Sequence, residues 1–378
     1  MSRAGKYIYK RKDKRWEGRY IKYYENGRAK YGSVYGHTCQ EVKDKLAKLK
    51  ERISKRKLNS PAGNIEKISK NWLAEISPLL KESSINKYED ILQNYIIPQF
   101  QNSDLSDITN ENLIDFSGKL LNTGGVKGKG LSPSTVKQIL SVMNCLRIHA
   151  LRHNYTVNYS TECVTIKKAP DEIRVFSEAE EQKLIEYLCK NYNLTSLGIL
   201  LCLFSGLRVG EICALTWDDF DFNSGTFSVT KTMQRVRIKG DSDKKSEVKI
   251  LEPKSRCSVR TIPIPDNLKL LLLSEQEKGA FILTGNRDKY IEPRTLQNRF
   301  KRILEKAGIA KANYHTTRHS YATRCIEQGV DVKCLSEMLG HASVSITLNR
   351  YVHPSMDLKT SHLSKLTHCY PINIVDAG

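Results

Sequence analysis

The chain of 378 residues is 39% hydrophobic and 27% charged, an ordinary balance for a globular protein and enough length for two or three cores. No run approaches 18 apolar residues, and the opening MSRAGKYIYKRKDKRW has no apolar signal core, so the cytoplasm is the expected compartment and no membrane is expected as a partner. The net charge of +20 points to a polyanion instead.

That charge is unevenly placed. Residues 1–58 carry 19 Lys and Arg against 6 Asp and Glu, whereas 59–170 carry 12 against 10 and 171–378 carry 30 against 25. The ten cysteines show no C-x-x-C pair and no zinc-type spacing with histidine, so they read as reduced thiols and no metal site is expected.

In chain order, KYIYK (6–10), WEGRYIKYY (16–24) and KYGSVYG (30–36) are aromatic-rich and roughly alternating, which predicts three strands. Asn26-Gly27 predicts a tight hairpin between the second and third. Thr38 and Glu41 form a capping box that opens a helix with Val42, Leu46, Leu49 and Ile53 on one face. The implied unit is a small sheet backed by one helix. Arg19, Lys22, Arg28 and Lys30 on the sheet are candidate DNA contacts, as in β-ribbon readers.

KLNSPAGN (57–64) reads as a linker. Residues 65–155 then read as helical, opening with an apolar stripe of Ile65, Ile68, Trp72, Leu73, Ile76 and Leu80. A second helix is expected to close near Pro98. Thr109 opens a third, and Ser132-Pro133 opens a fourth. The glycine-rich NTGGVKGKG (122–130) lacks phosphate-loop spacing and reads as a loop. TIKKAPDEIRVF (165–176) is a second linker, whose Lys167 and Lys168 are candidate DNA contacts. Ser177 and Glu180 cap the next region, with helices over 178–190 and about 195–216, a β-rich middle, and helices again from about 265. The fold class is multidomain α+β: a small three-stranded sheet plus helix, an all-α domain, and a mostly α domain holding a small antiparallel sheet.

The last region concentrates the chemistry. SGLRVGE places Arg208 near a helix start with Glu211 three residues on. PKSRCSVRTIPIP places Lys254 before a strand. HTTR places His315 and Arg318 on one helical face. LGHASVSITLNRYVH (339–353) carries His341 and Tyr351.

These elements, in this order, resemble the tyrosine recombinases, the phage-type integrases. The resemblance covers 175–365 strongly. Residues 65–160 resemble the family's core-binding domain and 1–58 the arm-binding domain of integrases from conjugative transposons, with 366–378 as a tail. It implies a site-specific DNA recombinase that integrates and excises a mobile element through a 3′-phosphotyrosine intermediate. Arg208 and Arg318 would hold the phosphate oxygens, Tyr351 would attack, Lys254 would protonate the 5′ oxygen, and His315 and His341 would assist. Glu211 would buttress Arg208. No cofactor is implied.

The implied partners are double-stranded DNA at core-type and arm-type sites and a homotetramer on that DNA, with an excision factor and a host DNA-bending protein as auxiliaries. The linker over 157–176 would cross the duplex. Tyr314 and Tyr321 read as packing, His319 and His353 as supporting contacts, and Tyr370 as part of a docking tail. Lys231, Lys244, Lys245 and Lys249 compete with Lys254. Two other readings stay open: a type IB topoisomerase-like enzyme, and a catalytically silent DNA-binding regulator.

Overall fold

The computed structural model describes residues 7–25, 28–58, 63–125, 128–167, 173–238, 246–253, 256–352, 360 and 363–364. The chain divides into two compact units, 1–170 and 171–378.

In the first unit, β1 (Ile8–Lys10), β2 (Trp16–Glu25) and β3 (Arg28–Gly36) form an antiparallel sheet in that order. Glu25 pairs with Arg28, so Asn26-Gly27, itself outside the described residues, spans the connection as the hairpin signal predicts. α1 (Cys39–Leu58) packs on β2 and β3. Thr38 Oγ1 accepts from the Glu41 amide at 3.1 Å, and the Glu41 carboxylate accepts from the amide of His37, one residue earlier than a reciprocal box requires. Close approach is what fixes this pair: a Cβ on Gly18 would stand 2.5 Å from Val42 Cγ1 and 2.8 Å from Leu46 Cδ1.

The helical part of the unit holds α2 (Ile65–Ile76), α3 (Glu82–Ile91), α4 (Ile97–Phe100), α5 (Asn110–Thr123) and α6 (Pro133–Arg152). Ile65, Ile68 and Trp72 are buried as expected, but α2 stops at Ile76 and Leu80 is exposed beyond a 3₁₀ turn. The second helical run closes at Phe100, two residues past Pro98. A π-turn over Leu92–Ile96 joins α3 to α4, placing Pro98 in the first turn of α4. The helical path is continuous there, the Ile97 amide reaching five residues back to Leu92 O, and this local widening is how the run takes in a proline, which has no amide of its own to donate. Thr109 and Ser132 cap α5 and α6 as predicted. Leu113, Val136, Ile139, Met143 and Leu146 form the centre of the core at 0% exposure.

The second unit is built on α8 (Leu194–Ser205), whose residues are buried on every side, the mark of a helix at the centre of a core. α7 (Glu178–Lys190) precedes it, with Ser177 and Glu180 forming a complete capping box. The single helix expected over 195–216 is two. Gly206, at φ +64°, ends α8, and α9 (Val209–Ala214) starts afresh at Arg208. The β-rich middle is likewise two sheets rather than one. One has the order β4 (Phe220–Asp221), β5 (Thr226–Val229), β8 (Arg260–Pro263), and the other pairs β6 (Thr232–Arg237) with β7 (Ser246–Leu251). Then follow α10 (Asp266–Ser274), α11 (Pro293–Lys306), α12 (His315–Glu327), α13 (Val332–Leu339) and α14 (Val344–Tyr351). α12 packs on α8, α13 and α14. Of the tail, only Thr360, Leu363 and Ser364 are described, and 366–378 lies outside the described residues.

Gly18→Ala should force α1 off the sheet, at a cost of ~1–3 kcal/mol for an overpacked contact. Hydrogen exchange of peptides covering 16–46 should accelerate while 63–125 is unaffected; unchanged exchange over 16–46 would show that the contact gives way cheaply.

Candidate active site

The site begins with two helix ends. α8 stops at Gly206 and α13 stops at Gly340, each left-handed at φ +64°. Glycine takes this conformation without strain, and a side chain has no room at Gly206, where a Cβ would lie 2.6 Å from the Tyr321 ring. The carbonyls exposed at these ends face two arginines. Arg318, on α12 and 1% exposed, donates to Gly206 O at 2.7 Å and Leu339 O at 2.6 Å. Arg208, the N-cap of α9, donates to Gly340 O at 3.1 Å.

One carboxylate organises the positive charge. Glu211 is 3% exposed and accepts from Arg208 Nη1 at 2.7 Å and from the Arg208 amide at 2.8 Å. It also accepts two bonds from Arg260, at 3.1 and 2.9 Å. Burial pushes the Glu211 carboxyl up, but the Arg260 hydrogen bonds and the charges of Arg260 and Arg208 more than offset it and hold it below its ordinary value. Arg260 also donates to Met338 O at 2.6 Å, tying β8 to the end of α13. The expected roles of Arg208 and Glu211 had no place for Arg260. It lies 49 residues from Glu211 on a short strand, and no local spacing signals the pair.

No carboxylate is hydrogen-bonded to Arg318 among the described residues. Burial, then the nearby Arg208 guanidinium, push Arg318 down to about 9. An arginine held in this way is an anion site waiting for its anion.

The remaining groups gather at the same place. Tyr351, the last residue of α14, is 7% exposed, and its hydroxyl lies 2.9 Å from His319 Nδ1. The His341 ring lies parallel to that of Tyr351, at 6.3 Å between centroids. His341 Nδ1 is 2.8 Å from Thr347 Oγ1, on the buried face of α14. His315 opens α12, its ring 4.5 Å from that of His319. Burial raises the Tyr351 phenol above its usual value, against the pull of Arg318, Arg350 and Arg208.

All three histidines are held neutral. Burial, then Arg318 and Arg208, push His341 down to about 3. Burial and then the His315 ring push His319 to about 4. His315 has an edge open to solvent, yet the protein packed behind it, then Arg318 and Arg350, push it to about 4. Neutral imidazoles can both donate and accept.

Five of the expected residues, Arg208, His315, Arg318, His341 and Tyr351, thus converge, with Glu211 behind them. Lys254 lies outside the described residues, as do Lys244, Lys245 and His353. Lys231 and Lys249 are paired with Asp219 at 3.6 Å and Glu247 at 3.0 Å. Tyr314 is buried in the core and Tyr321 packs beside α13, as expected. In the first unit, Arg19 is exposed but bonded to the buried Glu17 at 3.0 Å, and Lys167 is exposed. The side chains of Lys22, Arg28 and Lys30, and all of Lys168, lie outside the described residues.

Truncating Arg260→Ala leaves Glu211 buried with half its partners and should cost ~3–5 kcal/mol, as for a broken buried ion pair, read as a shift in the urea midpoint of the second unit. A second outcome concerns pH. The three histidines titrate near 3–4 in the folded chain against 6.5 when unfolded, so below about 6.5 the unfolded state takes up protons first. Stability should be fully present at neutral pH and fall as pH drops from about 6.5 towards 4. A urea midpoint flat across that range would contradict the neutral assignment.

Comparison with known proteins agrees with this geometry. Residues 174–357 match the phage integrase family, and residues 64–121 match the phage integrase N-terminal SAM-like domain. The chain is 29% identical to a XerC-like tyrosine recombinase of Caldanaerobacter subterraneus subsp. tengcongensis, over 92% of this chain and 94% of the relative. It is 26% identical to the ICEBs1 integrase of Bacillus subtilis, over 72% of this chain and 75% of that one. The fold matches the Tn1549 transposon integrase in complex with a circular intermediate DNA, at TM-score 0.63 and 20% identity, covering 79% of this chain and 99% of that one. It also matches a lambda integrase dimer bound to a core site, at TM-score 0.58 and 16% identity, covering 93% and 96%. With its arginines, histidines and tyrosine brought to one place by two glycine-ended helices, the chain belongs to the phage integrase family and is a tyrosine recombinase.

Proposed function

We propose that this chain is a site-specific recombinase that cuts and rejoins DNA through a 3′-phosphotyrosine link, integrating and excising a mobile element. The observation that carries this reading is the position of the Tyr351 hydroxyl beside Arg318, an arginine buried to 1% exposure with no carboxylate bonded to it among the described residues. A phosphodiester supplies the missing anion.

The roles follow from the donors each side chain presents. Arg208 and Arg318 would take the non-bridging oxygens, stabilising the charge that grows in the transition state. Their carbonyl and Glu211 contacts fix both guanidiniums before substrate arrives. The Tyr351 oxygen attacks phosphorus and the bond to the 5′ oxygen breaks. The phenol proton passes to His319 Nδ1, the only ring nitrogen bonded to it among the described residues. Lys254 delivers a proton to the departing 5′ oxygen. His315 and neutral His341 hydrogen-bond the phosphate. An aryl phosphodiester is close in free energy to the diester it replaces, so a partner strand's 5′-hydroxyl can reverse the step without ATP.

The chain would act as a homotetramer on two duplexes, in the cytoplasm. Residues 1–58 would serve as the arm-binding domain, 65–160 as the core-binding domain and 175–365 as the catalytic domain. Arg19, Lys22, Arg28, Lys30, Lys167 and Lys168 would lie along DNA. Among the described residues no helix is long and apolar enough to cross a membrane.

Tyr351→Phe should keep DNA binding but abolish the covalent protein–DNA adduct on a nicked suicide duplex; a surviving adduct would move the nucleophile elsewhere. His319→Gln should slow adduct formation by roughly 10²–10⁴-fold if it takes the phenol proton, and little if it only packs. Strand exchange between two labelled duplexes separates recombination from topoisomerase-like relaxation of one.

A further inference from the structure

Away from the catalytic site, α2 and α6 of the first unit bring together Glu75, His149 and His153, whose ligand atoms all lie within 4.8 Å of one another. We propose that these three residues bind a divalent transition-metal ion of the zinc class and that the ion staples α2 to the end of α6.

The geometry supports this in three ways. First, both imidazoles aim a ring nitrogen at the same carboxylate oxygen: His149 Nδ1 stands 2.9 Å and His153 Nε2 stands 3.4 Å from Glu75 Oε2. Ligand atoms about 2.0–2.2 Å from a tetrahedral ion stand roughly 3.3–3.5 Å apart; the two gaps to Glu75 lie at or just below that spacing, and all three atoms stay within 4.8 Å of one another, so side-chain adjustment alone brings them to one face of such a shell. Second, histidines at i and i+4 share one helical face, here in the last turn and C-cap of α6. The negative end of the helix dipole lies there and favours a cation. Third, His149 is buried while Glu75 and His153 are exposed, so the inner ligand is held rigidly and the fourth position opens to water.

Donor chemistry selects the ion. Two imidazoles and one carboxylate suit zinc and its neighbours better than magnesium or calcium, which prefer oxygen. Arg152 is a nearby positive charge that opposes the ion. The cluster contains no cysteine, so a search for thiolate spacing passes over it.

Equilibrium dialysis of the untagged full chain against Zn²⁺, and Co²⁺ titration followed by its visible absorption, test the site. One ion per chain is expected, with the intense band of four-coordinate Co²⁺ and a thermal midpoint raised by Zn²⁺. His153→Gln and Glu75→Gln change exposed side chains and should fold, as circular dichroism will verify. Each should weaken binding at least tenfold and remove the thermal shift. His315→Gln, which disrupts the other closely spaced histidine pair, should leave the ion bound. Absence of a stoichiometric ion, or an ion kept by both His153→Gln and Glu75→Gln, would overturn the proposal.

Discussion

The second unit depends on how it keeps several guanidinium groups close together with a single buried carboxylate among them. Like charges at such distances repel, and each loses hydration on burial. Glu211 answers part of that cost by bonding Arg208 and Arg260 together. Helix-end carbonyls answer another part, since Gly206, Leu339 and Gly340 accept from Arg318 and Arg208. The balance remains positive, and that surplus is what a phosphodiester neutralises.

This arrangement gives the short motifs a physical meaning. In Ser-Gly-Leu-Arg the glycine is needed to stop α8 in a left-handed turn and to present its carbonyl to Arg318. In Leu-Gly-His the leucine and glycine carbonyls each hold one arginine, and the histidine follows directly at the site. The backbone therefore does as much to place the guanidiniums as any side chain. A substitution at either glycine would move the arginines without touching them.

The surplus positive charge also sets the protonation of its neighbours. Three histidines lie within its field and are held neutral before substrate binds, so each keeps one ring nitrogen able to accept a hydrogen bond or a proton. The phenol feels the opposite influences of burial and of the guanidiniums. A bound phosphate would cancel part of the field that draws the phenol towards ionisation, which makes a local proton acceptor such as His319 useful at the moment of attack. The first unit shows the same logic on a smaller scale. Glu17 is buried in the sheet and bonded by Arg11, Arg19 and Ser33, which outweigh its desolvation and hold its carboxyl at about 2.

The sequence by itself determined the element types, the caps and the ordered set of reactive residues, because these depend on periodicity and on chemistry a few residues apart. Thr109, Ser132 and Ser177 start their helices where their side chains can accept the first free amides. What only the tertiary structure decided are contacts between residues distant along the chain. Arg260 on Glu211, His319 on Tyr351, and Glu75 beside His149 and His153 join positions 49, 32 and at least 74 residues apart. So too with the π-turn that carries a helix past Pro98. There, packing selects among backbone paths that local propensity leaves nearly equal in free energy.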